Sequence, residues 1–434
     1  MAVPHIYRLD QIGAEDEARI LRRSELDISD IAPAVQEIIA DVRRRGDAAL
    51  IDYTARFDRV TLDPRRLRVG EDEFQAAERQ IEPGVRDAIA HAVRNLRRLH
   101  EQQLPPEQTW VTVEPGVLAG EKVTPIASAG LYVPRGKGSF PSVVMMLSVP
   151  SVTAGVPRIV MVTPPDPQGQ VDVATLVAAR LCGVTEIYRV GGPQAVAALA
   201  YGTESIPAVR KVVGPGSSYV TAAKRLLYGV IDVGLPAGPS EAIVLADATA
   251  DARLVAVDLL VEAEHGLDSA ALLVTDSQDL ASAVQDLLPA LIAELPEPRR
   301  QFCERVMSNY GGIILCPSLH EAVAFVNKYA PEHLQVLTAD PLGLLPEIVH
   351  AGEILLGAYA PIPIGNFVLG TNAVLPTGGF ATTFSGASVH DFLKRSGIGY
   401  VTAGGFRSVG PVAATLADYE GFPAHARAVR ARSS

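Results

Sequence analysis

The spacing of apolar positions changes part-way along this chain. Between residues 32 and 57 they recur at helical intervals, with Val35, Ile38, Ile39 and Val42 on one side and Arg43, Arg44 and Arg45 on the other. That pattern predicts an amphipathic helix with a stop and restart at Gly46-Asp47. A second helix is predicted after Pro83-Gly84, with Ile89, Val93, Leu96 and Leu99 on one face, ending at Leu104-Pro105-Pro106. Residues 110–123 alternate instead, through Val111, Val113 and Val117, which predicts strands either side of a Pro115-Gly116 turn.

From Leu131 onward, short β-rich runs alternate with helical ones. Strands are predicted at 158–163, 186–190, 211–213, 241–246 and 270–274, and helices at 171–181, 193–201, 218–227, 250–265 and 277–292. Further strands are predicted at 312–315 and 334–337. Strand–helix alternation of this kind predicts an α/β fold with parallel sheets covered by helices. Residues 365–386, rich in Gly, Thr and Asn, are too long for a plain turn, and long irregular segments in compact domains are often functional. The tail reads as an amphipathic helix from about Gly410, a break at Gly421-Phe422-Pro423, and a basic helix to about Arg432.

Composition narrows the class. With 434 residues, 48% hydrophobic and 20% charged, the chain can form more than one stable core. A net charge of −11 disfavours nucleic acid and anionic lipid as partners. No run approaches a membrane span and no signal-peptide pattern opens the chain, so no membrane association and a cytoplasmic location are expected. Cys182, Cys303 and Cys316 form no CxxC pair, so they read as buried apolar residues and not as a disulfide framework or a thiolate metal site.

Four glycine-rich loops follow strands: residues 129–136, Val190-Gly191-Gly192-Pro193-Gln194, Gly214-Pro215-Gly216-Ser217 and Ala237-Gly238-Pro239-Ser240-Glu241. Each alone is an ordinary turn. Together they suit a nucleotide or phosphate ligand, although no complete GxGxxG is present. Glu262 and His265 lie three apart near a helix end, where they either share a metal or complement the helix C-terminus before Gly266. Glu332-His333 either supplies two proton-transfer groups at one site or is a capping acid beside a half-exposed imidazole.

In order along the chain, Leu131-Tyr132-Val133-Pro134, Gly191-Gly192-Pro193-Gln194-Ala195, Gly214-Pro215-Gly216 and Gly238-Pro239-Ser240-Glu241 precede Ala263-Glu264-His265-Gly266. Ala330-Pro331-Glu332-His333-Leu334, Gly370-Thr371-Asn372, Val374-Leu375-Pro376-Thr377 and Ala424-His425 follow. This series, spanning about residues 28–429, resembles the histidinol dehydrogenase family. The resemblance implies a zinc- and NAD-dependent enzyme that oxidises a primary amino alcohol, L-histidinol, through the aldehyde to the carboxylate. It implies Glu332 as the acid that activates water and His333 as the base for the alcohol proton. Tyr132, Gln194 and Ser217 stand at NAD-contact positions. Glu262, His265, Asn366 and His425 stand at the zinc-ligand positions. Ser240, Glu420 and Ala373 stand at substrate-pocket positions, as do His333 and the four zinc-position residues. A homodimer with shared active sites is implied, the tail histidine reaching into the partner's site.

The same resemblance implies two Rossmann-like parallel-sheet domains, a helical N-terminal segment and a helical C-terminal tail. The expected boundaries are an arm at 1–30, a first large domain from 31–130 and 237–380, an NAD-binding domain at 131–236 and a tail at 381–434. Four positions depart from the family's usual residues: Glu262 replaces Gln, Asn366 replaces Asp, Ala373 replaces a pocket histidine and Ser217 replaces Asn. The first two exchange a charge between two oxygen donors and leave their sum unchanged, which favours a retained metal. Ala373, with Arg135 and Lys137 in the first glycine loop, raises an alternative: a paralogue acting on another small hydroxylated substrate, conceivably anionic. A catalytically silent binding protein is a third reading, opposed by the retained Glu332 and His333.

Overall fold

The computed structural model describes residues 4–23, 28–135 and 138–432. Within it the chain forms two parallel sheets and one small antiparallel sheet. The six-stranded parallel sheet has the spatial order Ile6–Arg8, Gly312–Leu315, Ala270–Thr275, Glu241–Ala246, His333–Leu337, Glu353–Leu356. The four-stranded sheet runs Ile187–Arg189, Ile159–Thr163, Ala129–Tyr132, Lys211–Val213. Runs such as Glu241–Ala246 and Ala270–Thr275 are buried at every position, because helices cover both faces.

Strand order reverses once in each sheet. In the larger, the chain steps outward from Glu241–Ala246 through Ala270–Thr275 to Gly312–Leu315. It then returns to place His333–Leu337 on the other side of its starting strand. In the smaller, Ala129–Tyr132 is flanked by Ile159–Thr163 on one side and by the later Lys211–Val213 on the other. Such reversals open a crevice between neighbouring strand ends, since the connections leave in opposite directions.

Three features differ from the sequence expectation. The N-terminal segment is not purely helical, because Ile6–Arg8 adds an edge strand to the larger sheet. The C-terminal part likewise contains a strand, Leu393–Val401, paired antiparallel with Val117–Pro125, which in turn pairs with Gln108–Glu114. The first tail helix begins at Ala403, ahead of the expected start, because the Thr402 side chain accepts from Gly405 N and caps it. Gly404, Gly405 and Gly410 weaken the helical pattern there.

The helices at 32–102, expected in one domain with the 237–380 segment, instead pack their apolar faces on the smaller sheet. Val35, Ile38 and Leu50 share a core with Tyr132, Val160 and Val196. Ile89, Val93 and Leu96 share one with Leu131, Met146 and Met161. Periodicity identifies a face that must be buried, not the sheet that buries it.

The helix Pro141–Thr153 was not anticipated. It is buried from Val144 to Ser151 and therefore shows no polar stripe to reveal its period. Pro150 inside it has no N–H to give to the carbonyl four residues earlier, that of Met146. Asn372 Nδ2 donates to that freed carbonyl at 2.7 Å, while Asn372 Oδ1 accepts from Val374 N at 3.0 Å. The irregular segment around 370–375 is thereby tied to a rigid helix. Asn372→Ala leaves a buried carbonyl unpaired and is expected to cost about 1–3 kcal/mol in urea denaturation. An unchanged midpoint would show that the tether carries no stability.

Candidate active site

A cavity of about 560 Å³ lies between the two parallel sheets. From the smaller sheet come the carboxyl-end exits: Pro134 and Arg135 after Ala129–Tyr132, and Pro215 and Gly216 after Lys211–Val213. Gly214 (φ +132°) packs so closely there that a Cβ would lie 2.1 Å from the Tyr132 carbonyl oxygen, so glycine is required. The larger sheet contributes its amino ends instead. Ser240 precedes Glu241–Ala246, and Glu332 and His333 open His333–Leu337. Ligands of open α/β sheets usually sit at carboxyl ends; this cavity obeys that rule on one wall and reverses it on the other.

The remaining wall brings together Glu262 and His265 from the end of Ala252–Ala263 and its C-terminal turn, Asn366 from Ile362–Phe367, and Ala373. Seven residues singled out in the sequence thus line one cavity: Ser240, Glu262, His265, Glu332, His333, Asn366 and Ala373. Exposed Arg135 joins them, and Lys137 lies outside the described residues.

Others lie elsewhere. Tyr132 is buried beneath the cavity's smaller-sheet side, its hydroxyl accepting from Gly192 N at 3.0 Å. Gln194 is buried with both amide atoms lacking a partner. Ser217 is exposed at the start of Ser218–Leu227. Glu420 and His425 are exposed on the tail, where His425 packs on Phe422 at 5.1 Å between ring centroids. Neither tail residue lines the cavity of this chain.

The acid–base pair is held by the strand ladder. Glu332 Oε2 accepts from Glu241 N at 2.9 Å, and His333 lies opposite Glu353 in register. His333 Nδ1 sits 3.0 Å from Glu353 Oε2, and its Nε2 is 4.0 Å from Glu332 Oε1. Glu353 Oε1 accepts from the Thr371 hydroxyl. Glu241 pairs with Arg23 at 3.0 Å, and that guanidinium stacks on Tyr329. Burial pushes the Glu241 carboxyl up to about 7 against the pull of Arg23. Burial likewise raises Glu332 well above the ordinary carboxylate range, opposed by His333 and reinforced by Glu262. For His333, burial works downward, but the Glu353 hydrogen bond and the charges of Glu332, Glu262 and Glu353 outweigh it and raise the imidazole to about 9.

Sequence reasoning missed Glu353 and named Thr371 only within the Gly370-Thr371-Asn372 motif, without a role. The available signal was a charged residue at the head of the otherwise apolar run Glu353–Leu356, which becomes informative only once its neighbour is known to be His333.

The donor set suits a divalent cation. Glu262 is buried, its Oε1 has no hydrogen-bond partner, and its Oε2 lies 3.2 Å from His265 Nδ1. A buried carboxylate oxygen without a partner is costly unless a cation or donor meets it. Asn366 adds an amide oxygen on the same wall. Among the described residues no group of three or more His, Cys, Asp and Glu converges on a metal position, so any further ligand must come from outside this constellation.

Comparison with known proteins agrees with the motif series. A family model described as histidinol dehydrogenase matches residues 21–433. The histidinol dehydrogenase of Synechocystis sp. is 52% identical over 429 residues, covering 99% of each chain. A histidinol dehydrogenase homolog of Cereibacter sphaeroides is also 52% identical, over 424 residues, covering 97% of this chain and 96% of its own. The crystal structure of histidinol dehydrogenase from Elizabethkingia anophelis superposes with a TM-score of 0.94 at 33% identity, covering 100% of this chain and 98% of its own.

The His333 environment has a measurable consequence. In metal-free protein its imidazole should hold a proton to about pH 9 instead of the ordinary 6.5. The stability it contributes is complete below pH 6.5 and is lost as pH rises through 9. A divalent cation bound at Glu262 would repel the imidazolium and move that midpoint down. An NMR titration of the His333 ring proton with and without zinc reads both effects; an apo midpoint near 6.5 contradicts them.

Proposed function

This chain belongs to the histidinol dehydrogenase family, and from that membership we propose that it oxidises L-histidinol to L-histidine in two NAD-linked steps at the cavity between its sheets. The observation that carries the proposal is the convergence of Glu332 and His333 with Glu262, His265 and Asn366 on one cavity. The family is an oxidoreductase family of histidine biosynthesis, and its substrates are small molecules.

We assign His333 Nε2 the proton of the alcohol hydroxyl in the first step. Glu332, 4.0 Å away, takes a proton from the water that adds to the aldehyde, and once His333 has passed its first proton to solvent the hydrate loses its hydroxyl proton to His333. Each step releases one hydride, so one alcohol and one water give one carboxylate, two hydrides and three protons. Glu262, His265 and Asn366 would hold zinc, and Tyr132, Gln194 and Ser217 would border NAD. When bound, zinc would orient and polarise the substrate, and NAD would take up the hydride. The partnerless amide of Gln194 and the partnerless Oε1 of Glu262 support these two placements. Glu262, Glu332 and His333 are buried, which keeps bulk water from the reacting groups.

We further propose a homodimer in which His425 and Glu420 from the tail of a second copy complete each site. Two observations support it: the cavity lacks these residues in its own chain, and the tail exposes Val412, Leu416, Tyr419 and Phe422.

A second substrate class has one observation in its favour. Ala373 lines the cavity with a methyl group that can form no hydrogen bond to a polar substrate, and a site lacking such a partner discriminates less. A panel of L-histidinol, other amino alcohols and diols, assayed by NADH formation, decides between them. Two NADH per L-histidinol and no faster substrate is the expected result; a faster diol or anionic alcohol moves the assignment to the second class.

His333→Ala should lower turnover roughly a hundredfold or more, as loss of a general base does. An unchanged rate removes His333 from the chemistry. Glu262→Ala should reduce zinc content and activity together; full zinc occupancy in that variant would refute its place in the ligand set.

A further inference from the structure

The strand at Glu353–Leu356 places a carboxylate behind the proposed base, not in the cavity. Glu353 is buried, does not line the cavity, and lies opposite His333 in the parallel ladder. Its Oε2 is 3.0 Å from His333 Nδ1. Its Oε1 is taken by the Thr371 hydroxyl. Gly365 leaves room for the carboxylate, since a Cβ there would come within 2.7 Å of Glu353 Oε2. The backbone fixes the carboxylate as well: Glu353 N donates to Glu332 O at 2.9 Å.

A carboxylate can only accept at that contact, so Nδ1 must carry the hydrogen. In the neutral imidazole this leaves the lone pair on Nε2, the nitrogen that faces Glu332. We propose that Glu353 is a positioning residue for the oxidation: it fixes the Nδ1–H tautomer of His333 and stabilises the imidazolium formed when Nε2 accepts the substrate proton. Thr371 sets the carboxylate's angle, and it links the base to the segment that carries Ala373. The proton balance is simple. The hydroxyl proton goes to Nε2, Nδ1 keeps its own, and Glu353 stays ionised.

The inference rests on His333 being the base, so its test must separate the two. Three zinc-loaded, dimer-checked variants are compared with the parent: Glu353→Gln, Thr371→Val and His333→Ala. Glu353→Gln keeps the shape but removes the charge, and should lower kcat roughly tenfold to several hundredfold while KM and zinc content stay the same, by analogy with loss of an orienting carboxylate behind a catalytic imidazole. Thr371→Val should lower kcat less, roughly threefold to tenfold. In a His333→Ala background, Glu353→Gln should cost nothing further. Nitrogen-15 NMR of the parent should show the Nδ1–H tautomer of neutral His333 without substrate, and a mixture in Glu353→Gln.

A loss in His333→Ala with full kcat in Glu353→Gln overturns the role of Glu353 and leaves the base in place. Equal activity in all three variants overturns the base itself. A Glu353→Gln loss that tracks a rise in KM or a fall in zinc content overturns positioning in favour of a structural role. An Nε2–H tautomer in the parent overturns it directly.

Discussion

The organising constraint of this molecule is the burial of carboxylates at one end of a parallel sheet. Glu241, Glu262, Glu332 and Glu353 are all buried there. Isolated, each would be neutralised or expelled by the cost of removing charge from water. They persist because each has a different remedy. Glu241 has Arg23 and the Gly378 N–H. Glu332 has the Glu241 N–H. Glu353 has His333 and Thr371. Glu262 alone keeps a buried oxygen without a hydrogen-bond partner, and it lines the cavity beside Glu332. The fold therefore satisfies its acids until one remains for a ligand.

Sheet topology makes that possible. Parallel pairing sets His333 opposite Glu353 on one side and opposite Ala242, the residue after Glu241, on the other, although roughly a hundred residues of chain separate Glu241 from the other two. The opposite wall uses strand exits and glycine turns, which suit close approach of a large anionic cofactor. One wall thus offers backbone and small residues, the other offers titratable side chains. That division of labour suits a reaction in which a carrier must lie against a substrate whose protons are managed by the protein.

Much of this was legible in the sequence. The alternation of strands and helices after Leu131 follows from buried parallel strands reading as apolar runs. The series of short motifs, from Tyr132 to His425, pointed to the family because their order along the chain is hard to reach by chance. Helix Pro141–Thr153 was not legible, since a helix apolar on all sides carries no phase. The attachment of the 32–57 helices to the smaller sheet was not legible either, because an apolar face does not name its partner. Glu353 escaped for a related reason: a charge at a strand's first position is ordinary, and only register with His333 makes it unusual. The tail residues Glu420 and His425 show the limit most plainly, being named by motif and placed by no contact within a single chain.

The tether between Asn372 and the Met146 carbonyl bears on how this site can diversify. Side-chain anchoring is carried by Asn372, while the Ala373 methyl group faces the cavity and packs on the edge of the smaller-sheet core. A lineage can exchange the side chain at that position without first repairing the loop. Substrate preference can then drift through single replacements while the proline-broken helix keeps the surrounding backbone in place, which makes this stretch a natural point of evolvability.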